Sequence, residues 1–239
     1  AGVAVDVGGE AACDRVEALA DRLVSMTAII GDVHGDIDLL FDLGDGLDGW
    51  IQVGDLGWGM THQAIPEFPD NGKAIRGNHD DPEVARAHPS YLGDYGVTDK
   101  GIFYVSGAKT PDFDIKRRMA LAAKRNCHPM WWEDEQLSYQ DLCDMLTLYE
   151  QVKPEIVVTH DAPFYLYRAL IGAARSINPD GSSEAESNRT AIALNQMLDI
   201  HQPKFWYFGH WHMDWAMRFK GTWFRCVERN EVVIAGTLD

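Results

Sequence analysis

Five short segments of the chain contain residue types that bind transition metals, and each follows an apolar run of β-strand type. In chain order the candidates are Asp32 and His34, Asp55, Asn78 and His79, His160, and finally His210 and His212. A lone histidine near a strand is usually a structural hydrogen-bonding group, and a lone Gly-Asp or His-Asp pair is usually a turn. Five of the nine histidines lie in these segments, however, which argues against a purely structural explanation.

The donor types in these segments indicate the chemistry that they could support. Imidazole nitrogens, carboxylates and one carboxamide oxygen form a mixed donor set that suits Mn, Fe, Zn or Ni. In layered α/β proteins the loops at the carboxyl ends of the strands converge on one edge of the sheet, so distant segments can build one site. We therefore expect a single site that holds two divalent metal ions rather than one.

Short apolar runs alternate with helical stretches along the chain, which predicts an α/β fold made of layered sheets and helices. Strands are predicted at residues 27–30, 50–53, 73–75, 102–105, 156–159, 205–208, 223–227 and 232–235. Helices are predicted at residues 36–43, 135–152 and 187–200 from the spacing of their apolar residues. These strands must place the five segments on one edge.

The length and composition indicate one globular domain with a substantial core. The chain has 239 residues, and Met26 directly precedes the first predicted strand, so we expect the domain to span residues 26–239. Residues 1–25 are expected to be an extension that carries a surface helix at 14–24. The segment 176–187 is rich in Ser, Gly, Pro and Asn, which is typical of an exposed loop.

Charge and cysteine usage restrict the expected partners and compartment. The formal net charge of −16 disfavours a basic groove for long nucleic acids. No apolar run approaches the roughly 18 to 20 residues that span a bilayer, and the first thirty residues lack the pattern of a signal peptide. The four cysteines are far apart, which is typical of reduced thiols. We expect a cytoplasmic protein without a membrane partner, and its oligomeric state is open.

The order of the five segments resembles that of the calcineurin-like metallophosphoesterase superfamily. Its motifs are Gly-Asp-x-His, Gly-Asp, Gly-Asn-His followed by Asp or Glu, a single His, and Gly-His-x-His. All five occur in this order between Gly31 and His212. The resemblance implies a four-layer sandwich of two mixed β-sheets flanked by helices. Within the superfamily, the segments SGAKTPD and PMWWEDEQLS resemble a small bacterial and phage-type branch.

The resemblance also implies metal ligands and a mechanism. One metal would be bound by Asp32, His34 and His212, the other by Asn78, His160 and His210, and the carboxylate of Asp55 would bridge both. The two divalent ions, with Mn expected and Fe, Zn or Ni as alternatives, would lie ~3.5–4 Å apart and activate a bridging water for in-line attack on phosphorus. His79 would donate a proton to the leaving alkoxide.

The second motif departs from that of the protein phosphatases of this superfamily, which continue it as Gly-Asp-x-x-Asp-Arg-Gly. Trp58 stands at the position of the Asp that orients the acid histidine, and Gly59 stands at the position of the Arg that binds phosphate. His79 would then need another partner, such as Asp36 or Asp80, and the phosphate would need another cation.

Three further features near the motifs have two interpretations each. Arg76 could add positive charge near the phosphate, although a surface ion pair is at least as common for an arginine at a strand end. The basic run at 116–118, followed by Lys124 and Arg125, could reach a phosphorylated substrate, but a solvated helix face is the favoured interpretation. Asp161 either accepts a hydrogen bond from a ligand histidine or forms a simple turn.

These features favour a metal-dependent phosphatase that hydrolyses a phosphomonoester on a small molecule or a flexible peptide. A phosphodiesterase or nuclease with the same metal site is the alternative, and it would need a groove for a second ester group or a strand. A binding module that kept the fold after losing its metal site is a third interpretation. Missing ligands would indicate such a module, and here none is missing.

Overall fold

The computed structural model describes residues 26–60, 64–126, 128–173 and 188–237. The surface helix predicted at 14–24 and the loop predicted at 176–187 lie outside these residues. Within them the chain folds into ten strands, six α-helices and one 3₁₀ turn.

The smaller of two mixed sheets has four strands in the order β10-β1-β2-β3. Its strands are β1 (Ala28–Ile30), β2 (Trp50–Gln52), β3 (Gly72–Ala74) and β10 (Val232–Ile234). Strands β1, β2 and β3 are parallel, and β10 pairs antiparallel with β1 at the edge. The three parallel strands therefore end on the same side of the sheet.

The larger sheet has six strands in the order β4-β5-β6-β7-β9-β8. Its strands are β4 (Tyr95–Val97), β5 (Ile102–Val105), β6 (Ile156–Thr159), β7 (Phe205–Phe208), β8 (Trp215–Phe219) and β9 (Thr222–Cys226). The four inner strands are parallel, and the edge strands β4 and β8 pair antiparallel with their neighbours.

The helices connect the strands and cover the outer faces of the sheets. They are α1 (Ile37–Gly44), α2 (Pro82–Arg86), α3 (Asp112–Arg125), α4 (Tyr139–Val152), α5 (Tyr167–Ala173) and α6 (Arg189–Ile200), with the 3₁₀ turn at Phe164–Leu166. None of the helices in the described residues is both long and apolar enough to span a membrane.

Alternating side chains of the strands pack on opposite faces, which is the property of a pleated strand that produces layers. Ile29 of β1 packs with Val158 of β6 in a core between the two sheets. Its neighbour Ile30 packs with Leu40 of α1 on the outer face of the smaller sheet. On the outer face of the larger sheet, Phe103 packs against α4 and α6. The predicted α/β sandwich of two mixed sheets with flanking helices is confirmed.

The predicted elements agree with the structure to within one residue for all eight strands. Three helices were predicted at the observed places, but the helix predicted at 135–152 begins only at Tyr139, because the Ser138 hydroxyl caps its N-terminus by accepting from the Asp141 amide. Glu135 thus lies in a loop. The prediction omitted β4, β8, α2 and α5, and it gave α3 only as a possible helix face.

Candidate metal centre

The five metal-ligand segments follow β1, β2, β3, β6 and β7, whose carboxyl ends are level with one another. Ile30 pairs in register with Gln52 of β2, which pairs with Ala74 of β3. Thr159 of β6 pairs with Phe208 of β7 in the other sheet. Because the two sheets pack face to face, the loops beyond these strands meet at one edge of the sandwich. We call the cluster that they form the candidate metal centre.

The first group of potential ligands contains Asp32, His34, Asp55 and His212, each with a donor atom within 4.8 Å of the others. His34 Nε2 lies 2.9 Å from His212 Nε2, and His212 Nε2 lies 3.0 Å from Asp32 Oδ2. Asp32 and Asp55 are almost fully buried. The sequence separation shows that the fold, rather than local spacing, assembles this group.

The second group contains Asp55, His160 and His210, again with donor atoms within 4.8 Å of one another. His160 Nε2 lies 3.3 Å from Asp55 Oδ1 and 3.2 Å from the carboxamide oxygen of Asn78. Asp55 belongs to both groups, which is the position that a bridging carboxylate requires. The structure thus brings together all seven residues that the resemblance implied as ligands, and their assignment to individual ions stays a prediction.

Close packing at Gly209 allows two of these loops to meet. A Cβ atom at Gly209 would lie 2.1 Å from Asp32 Oδ1 and 2.7 Å from Val53 Cγ2. Real Cβ atoms do not approach other atoms so closely, and the buried Asp32 has no room to move away. Only glycine therefore lets the loop after β7 approach the first group of ligands.

Left-handed backbone conformations occur at four of the potential ligands. The φ angles are 48° at His34, 53° at Asp55, 67° at His210 and 49° at His212. Residues other than glycine rarely adopt positive φ, because the Cβ atom crowds the backbone there. Such conformations cluster at functional sites, where the surrounding structure enforces them. The surrounding structure therefore holds the backbone at these four potential ligands in a conformation that non-glycine residues rarely adopt.

The charges at the centre favour a bound cation. Burial alone would raise the pKa of Asp55, but the neighbouring His79, His160 and His34 hold it well below its usual value. Burial acts to lower the pKa of His160, yet the Asp55 carboxylate outweighs it and raises the pKa to about 10. Burial lowers the pKa of His34 to about 4, despite the nearby carboxylates. Neutral imidazoles of this kind are the form that ligates metals.

Two contacts test whether these residues fit a metal. Asp32 Oδ1 is buried and has no hydrogen-bond partner among the described residues, so it is available as a ligand atom. His160 Nδ1 donates to the backbone carbonyl of Val53 at 2.8 Å, so Nε2 is the ring nitrogen that faces the centre. Nε2 lies beside two oxygens, of Asp55 and Asn78, where a divalent ion would take the place of its proton. The residues fit divalent metal ions.

A chain of hydrogen bonds orients Asn78. Its Nδ2 donates to the Thr110 hydroxyl at 2.9 Å, and the hydroxyl donates to Glu135 Oε2 at 2.6 Å. The Thr110 amide also donates to Glu135 Oε1 at 2.7 Å. With Nδ2 engaged in this way, the carboxamide oxygen of Asn78 faces His160. Burial raises the pKa of Glu135 to about 7, although the bonds from Thr110 act to lower it.

His79 lies beside Asp55 and contacts an arginine from α3. Its backbone amide donates to Asp55 Oδ1 at 2.8 Å, and its Nε2 lies 3.8 Å from Asp55 Oδ2. Arg118 Nη2 lies 2.7 Å from His79 Nε2 and 3.1 Å from Nδ1. Burial lowers the pKa of His79, and the Arg118 charge lowers it further, although Asp55 opposes both.

The two carboxylates considered as partners of His79 have other roles. Asp80 is buried and accepts backbone N–H bonds from Leu56, Gly57, Trp58 and Gly77. Burial and the nearby Asp55 raise its pKa to about 6. Asp36 caps α1 by accepting from the Leu39 amide. Arg118 occupies the place beside His79 for which these carboxylates were candidates.

Arg76 and Asp161 also have structural contacts. The Arg76 side chain is fully buried, and it donates to Asp94 at 3.0 Å and to the Glu135 carbonyl at 2.6 Å. The ion pair is therefore buried rather than at the surface, and these contacts favour a structural role. The Asp161 carboxylate accepts from Tyr167 at 2.6 Å and from Asn188 at 3.1 Å. Among the described residues, the hydrogen-bond partners of Asp161 thus differ from the ligand histidine that was considered.

Trp58, which replaces the Asp of the protein-phosphatase motif, belongs to the interior of the protein, and Gly59, which replaces the Arg, is partly buried beside Asp81. The indole of Trp58 is fully buried and packs edge-on against Tyr91, with ring centroids 5.5 Å apart. Gly59 has a φ of 74°, and a Cβ atom there would lie 2.5 Å from Asp81 Cβ. This loop does not present a polar side chain from either position to a substrate.

The favoured interpretation of the sequence did not assign three residues to the site. Arg118 lies in the basic run that was interpreted as a solvated helix face, and that interpretation is wrong for Arg118, whose side chain is 12% exposed. Thr110 and Glu135 lie in SGAKTPD and PMWWEDEQLS, the two segments that suggested a branch of the superfamily. Those segments were the one signal that pointed to them.

Comparison with known proteins agrees with this geometry. A search of curated proteins found no relative that matches the chain. The sequence model of the calcineurin-like phosphoesterase family matches residues 26–214, a span that begins just before β1 and contains every residue of the candidate metal centre. Since the match covers most of the chain and the seven potential ligands converge within it, the chain belongs to the calcineurin-like phosphoesterase family.

Proposed function

We propose that this protein is a phosphomonoesterase whose active site is a two-metal form of the candidate metal centre. The family supports hydrolysis of phosphoesters in general. The observation that carries the two-metal proposal is the position of Asp55, whose carboxylate is shared by the two groups of potential ligands. A single metal would not need two complete sets of donors around one carboxylate.

The ligands would be divided between the two ions as follows: Asp32, His34 and His212 for one, Asn78, His160 and His210 for the other, and Asp55 for both. The mixed nitrogen and oxygen donors support Mn, with Fe, Zn or Ni as alternatives. When bound, the ions supply Lewis acidity that polarises a phosphoryl oxygen and lowers the pKa of water to about 7. The protein contributes a buried, rigid frame for that chemistry.

His79 is the proposed proton donor to the leaving oxygen. Its backbone amide is fixed by Asp55, so its ring is held beside the centre. Because burial and Arg118 lower its pKa, the protonated ring is a stronger acid, and a smaller fraction of the molecules carries that proton at pH 7. A general acid of this kind typically contributes about 10²- to 10⁴-fold in rate.

The proposed substrate is a phosphomonoester on a small molecule or a flexible peptide. The formal net charge of −16 supports this class, because a long nucleic acid would be repelled by most of the surface. The assignment to a bacterial and phage-type branch stays a prediction, and so does the cytoplasmic compartment.

The test compares two esters on one metal-restored protein. The protein is stripped with chelator and reloaded with Mn²⁺, and hydrolysis of p-nitrophenyl phosphate is compared with that of bis(p-nitrophenyl) phosphate. Asp55→Asn removes the shared carboxylate charge and is expected to lower activity by about a hundredfold or more. Asp199→Asn is the matched control, because Asp199 is exposed and pairs with Lys220 at the surface.

Activity that prefers the monoester, requires metal and is lost only in Asp55→Asn supports the proposal. A preference for the diester would replace it with a phosphodiesterase. Stoichiometric metal binding without hydrolysis of either ester by any of the four metals would contradict an active phosphomonoesterase and favour a binding protein.

A further inference from the structure

The second motif has Gly59 where the protein phosphatases of this family have an arginine, and Arg118 of α3 lies beside the candidate metal centre, in contact with His79. We propose that Arg118 binds the phosphoryl group of the substrate and thereby favours phosphomonoesters over diesters. This inference deepens the proposed function and depends on it for the identity of the substrate. It assigns to α3, a helix outside the five motifs, the role of a substrate-binding element.

The position of Arg118 supports this role. Its Nη2 atom lies 2.7 Å from His79 Nε2, and that nitrogen lies 3.8 Å from Asp55 Oδ2. The His79 ring also contacts the His34 ring edge-on, with centroids 5.1 Å apart. The guanidinium is therefore separated by a single imidazole from the carboxylate that both groups of ligands share. A phosphoryl group held at the centre would lie within reach of it.

The side chain is fixed in this position before any substrate arrives. Arg118 Nε donates to Asp114 Oδ2 at 2.6 Å, and Nη1 donates to the Met130 carbonyl at 2.6 Å. A guanidinium has five N–H donors. Within the described residues three of them are used, one each for Asp114, Met130 and His79. The two that remain lie on Nη1 and Nη2, and such a planar pair can bind two oxygens of a phosphoryl group.

The local charge also favours an anion. Asp114 accepts from Arg118 at one oxygen and pairs with Arg117 at the other, at 2.6 Å in each case. One carboxylate thus serves two guanidinium groups, and the cluster keeps a net positive charge in a chain with a formal net charge of −16. Arg76, the other candidate, is fully buried and engaged with Asp94. Among the arginines near the centre, Arg118 has both the position and the free donors.

A preference between ester classes follows from this arrangement. A phosphomonoester has three terminal oxygens and carries close to two negative charges at neutral pH. It can therefore offer two oxygens to Arg118 while another reaches the metal ions. A phosphodiester has only two terminal oxygens and one negative charge, so it cannot satisfy both partners as well. Removal of Arg118 should then weaken binding of the monoester more than binding of the diester.

The experiment measures binding of inorganic phosphate and steady-state kinetics on the Mn²⁺-loaded protein. Arg118→Ala is expected to weaken phosphate binding, and to raise KM for p-nitrophenyl phosphate, by about ten- to a hundredfold, since it removes charged hydrogen bonds. KM for the diester should change much less, and Mn²⁺ affinity should stay that of the wild type. Arg118→Lys should recover part of the phosphate affinity.

Arg117→Ala is the matched control, because Arg117 shares Asp114 but its side chain is 70% exposed. Its charge is screened by solvent, so Arg117→Ala should lose at most about twofold in phosphate affinity. If Arg118→Ala does not fold, the Arg118→Lys and Arg118→Gln proteins are compared instead. The inference then requires that the Arg118→Gln protein bind phosphate more weakly than the Arg118→Lys protein. Equal phosphate binding in the wild type and the Arg118 variants would overturn the inference. The inference would also fail if the variants bound phosphate more weakly only because they had lost Mn²⁺.

The two proposals can fail separately. If the wild type binds phosphate through Arg118 but hydrolyses neither ester, the proposed function fails and the binding role of Arg118 holds. If the wild type hydrolyses the monoester and Arg118→Ala keeps its KM and phosphate affinity, the role of Arg118 fails alone. A wild type that binds no phosphate when loaded with Mn²⁺ overturns the inference.

Discussion

Residues that are not themselves potential ligands can determine the geometry of the candidate metal centre. Thr110 and Glu135 do so by orienting the carboxamide of Asn78. An amide group can turn either its oxygen or its nitrogen toward a metal, and only the oxygen is a ligand. The hydroxyl of Thr110 accepts from the nitrogen and is itself held by Glu135. Since all three side chains are buried, water cannot replace these bonds easily.

Replacement of Thr110 by Val should weaken metal binding without unfolding the protein. Valine has nearly the shape of threonine but leaves Asn78 Nδ2 and Glu135 without their shared partner, so Asn78 loses its fixed orientation. We expect Mn²⁺ affinity, measured by titration calorimetry, to fall by about ten- to a hundredfold.

Thr147→Val is the control for that variant, because the Thr147 hydroxyl is exposed and donates to the Cys143 carbonyl within α4. It should bind Mn²⁺ as the wild type does. A Thr110→Val protein with unchanged Mn²⁺ affinity would show that the orientation of Asn78 does not depend on this hydroxyl.

Residue identity alone could predict the potential ligands, which the fold brings together, but not their supporting residues. Asp32, Asp55 and the histidines occur in motifs whose spacing is set by strand ends, so their convergence follows from the fold. In the sequence Arg118 stands in a run of cations of α3, and nothing local distinguishes it from Arg117. Only the packing of α3 against the loop that carries Met130 turns one of these side chains toward His79.

At the scale of elements, the loops that follow β2 and β3 behave as one structure. The buried carboxylate of Asp80 accepts four backbone N–H bonds, three from the loop after β2 and one from Gly77 in the loop after β3. Asp55 lies in one of these loops and Asn78 in the other. The bonds therefore hold the loop of Asp55 at a fixed distance from the loop of Asn78, a residue proposed as a metal ligand.

Gly209→Ala tests the close approach of the loop after β7. The new Cβ atom would lie 2.1 Å from Asp32 Oδ1, so the loop or the carboxylate must shift. Overpacking of this kind typically costs about 1–3 kcal/mol of stability. We expect a lower midpoint of thermal unfolding and weaker Mn²⁺ binding.

Gly172→Ala provides the comparison, because a Cβ atom at Gly172 in α5 has no atom within 4 Å. Alanine there should leave stability unchanged or raise it slightly, since it favours helix. Equal behaviour of the two variants would mean that the contact between Gly209 and Asp32 can relax at no cost.

The elements that were missed have weak sequence signals for physical reasons. Strand β4 is a three-residue edge strand with a glycine at its centre, and its position depends on pairing with β5. Strand β8 is an edge strand whose side chains are only partly buried, so it lacks the apolar run of the inner strands. The inner strands were predicted because burial on both faces requires continuous apolar residues.

At the scale of the whole molecule, charge and fold are coupled through the candidate metal centre. The chain carries a formal net charge of −16, and two of its carboxylates, Asp32 and Asp55, are buried at the centre. Repulsion among like charges destabilises a compact state. Bound divalent cations would relieve part of it at the point where the loops from both sheets meet.

Metal removal should therefore lower the stability of the entire domain. A ligand present at about 100 times its Kd stabilises the folded state by about 2.7 kcal/mol per site. For a chain of this size, such a change shifts Tm by roughly 5–10 °C. We expect scanning calorimetry to show this difference in Tm between the Mn²⁺-loaded and the chelator-treated wild type. The same comparison on Asp55→Asn should give a much smaller difference in Tm. Identical Tm values with and without Mn²⁺ would contradict a resident metal.

The close packing at Trp58 and Gly59 has a consequence for substitutions in this loop. Asp at 58 would leave a cavity and an unpaired charge beside Tyr91, and Arg at 59 would collide with Asp81. Each substitution alone is therefore expected to destabilise the protein. The protein-phosphatase form of the loop would need changes in the surrounding residues as well. Selection for a new substrate would more readily act on α3, where exposed side chains can change one at a time.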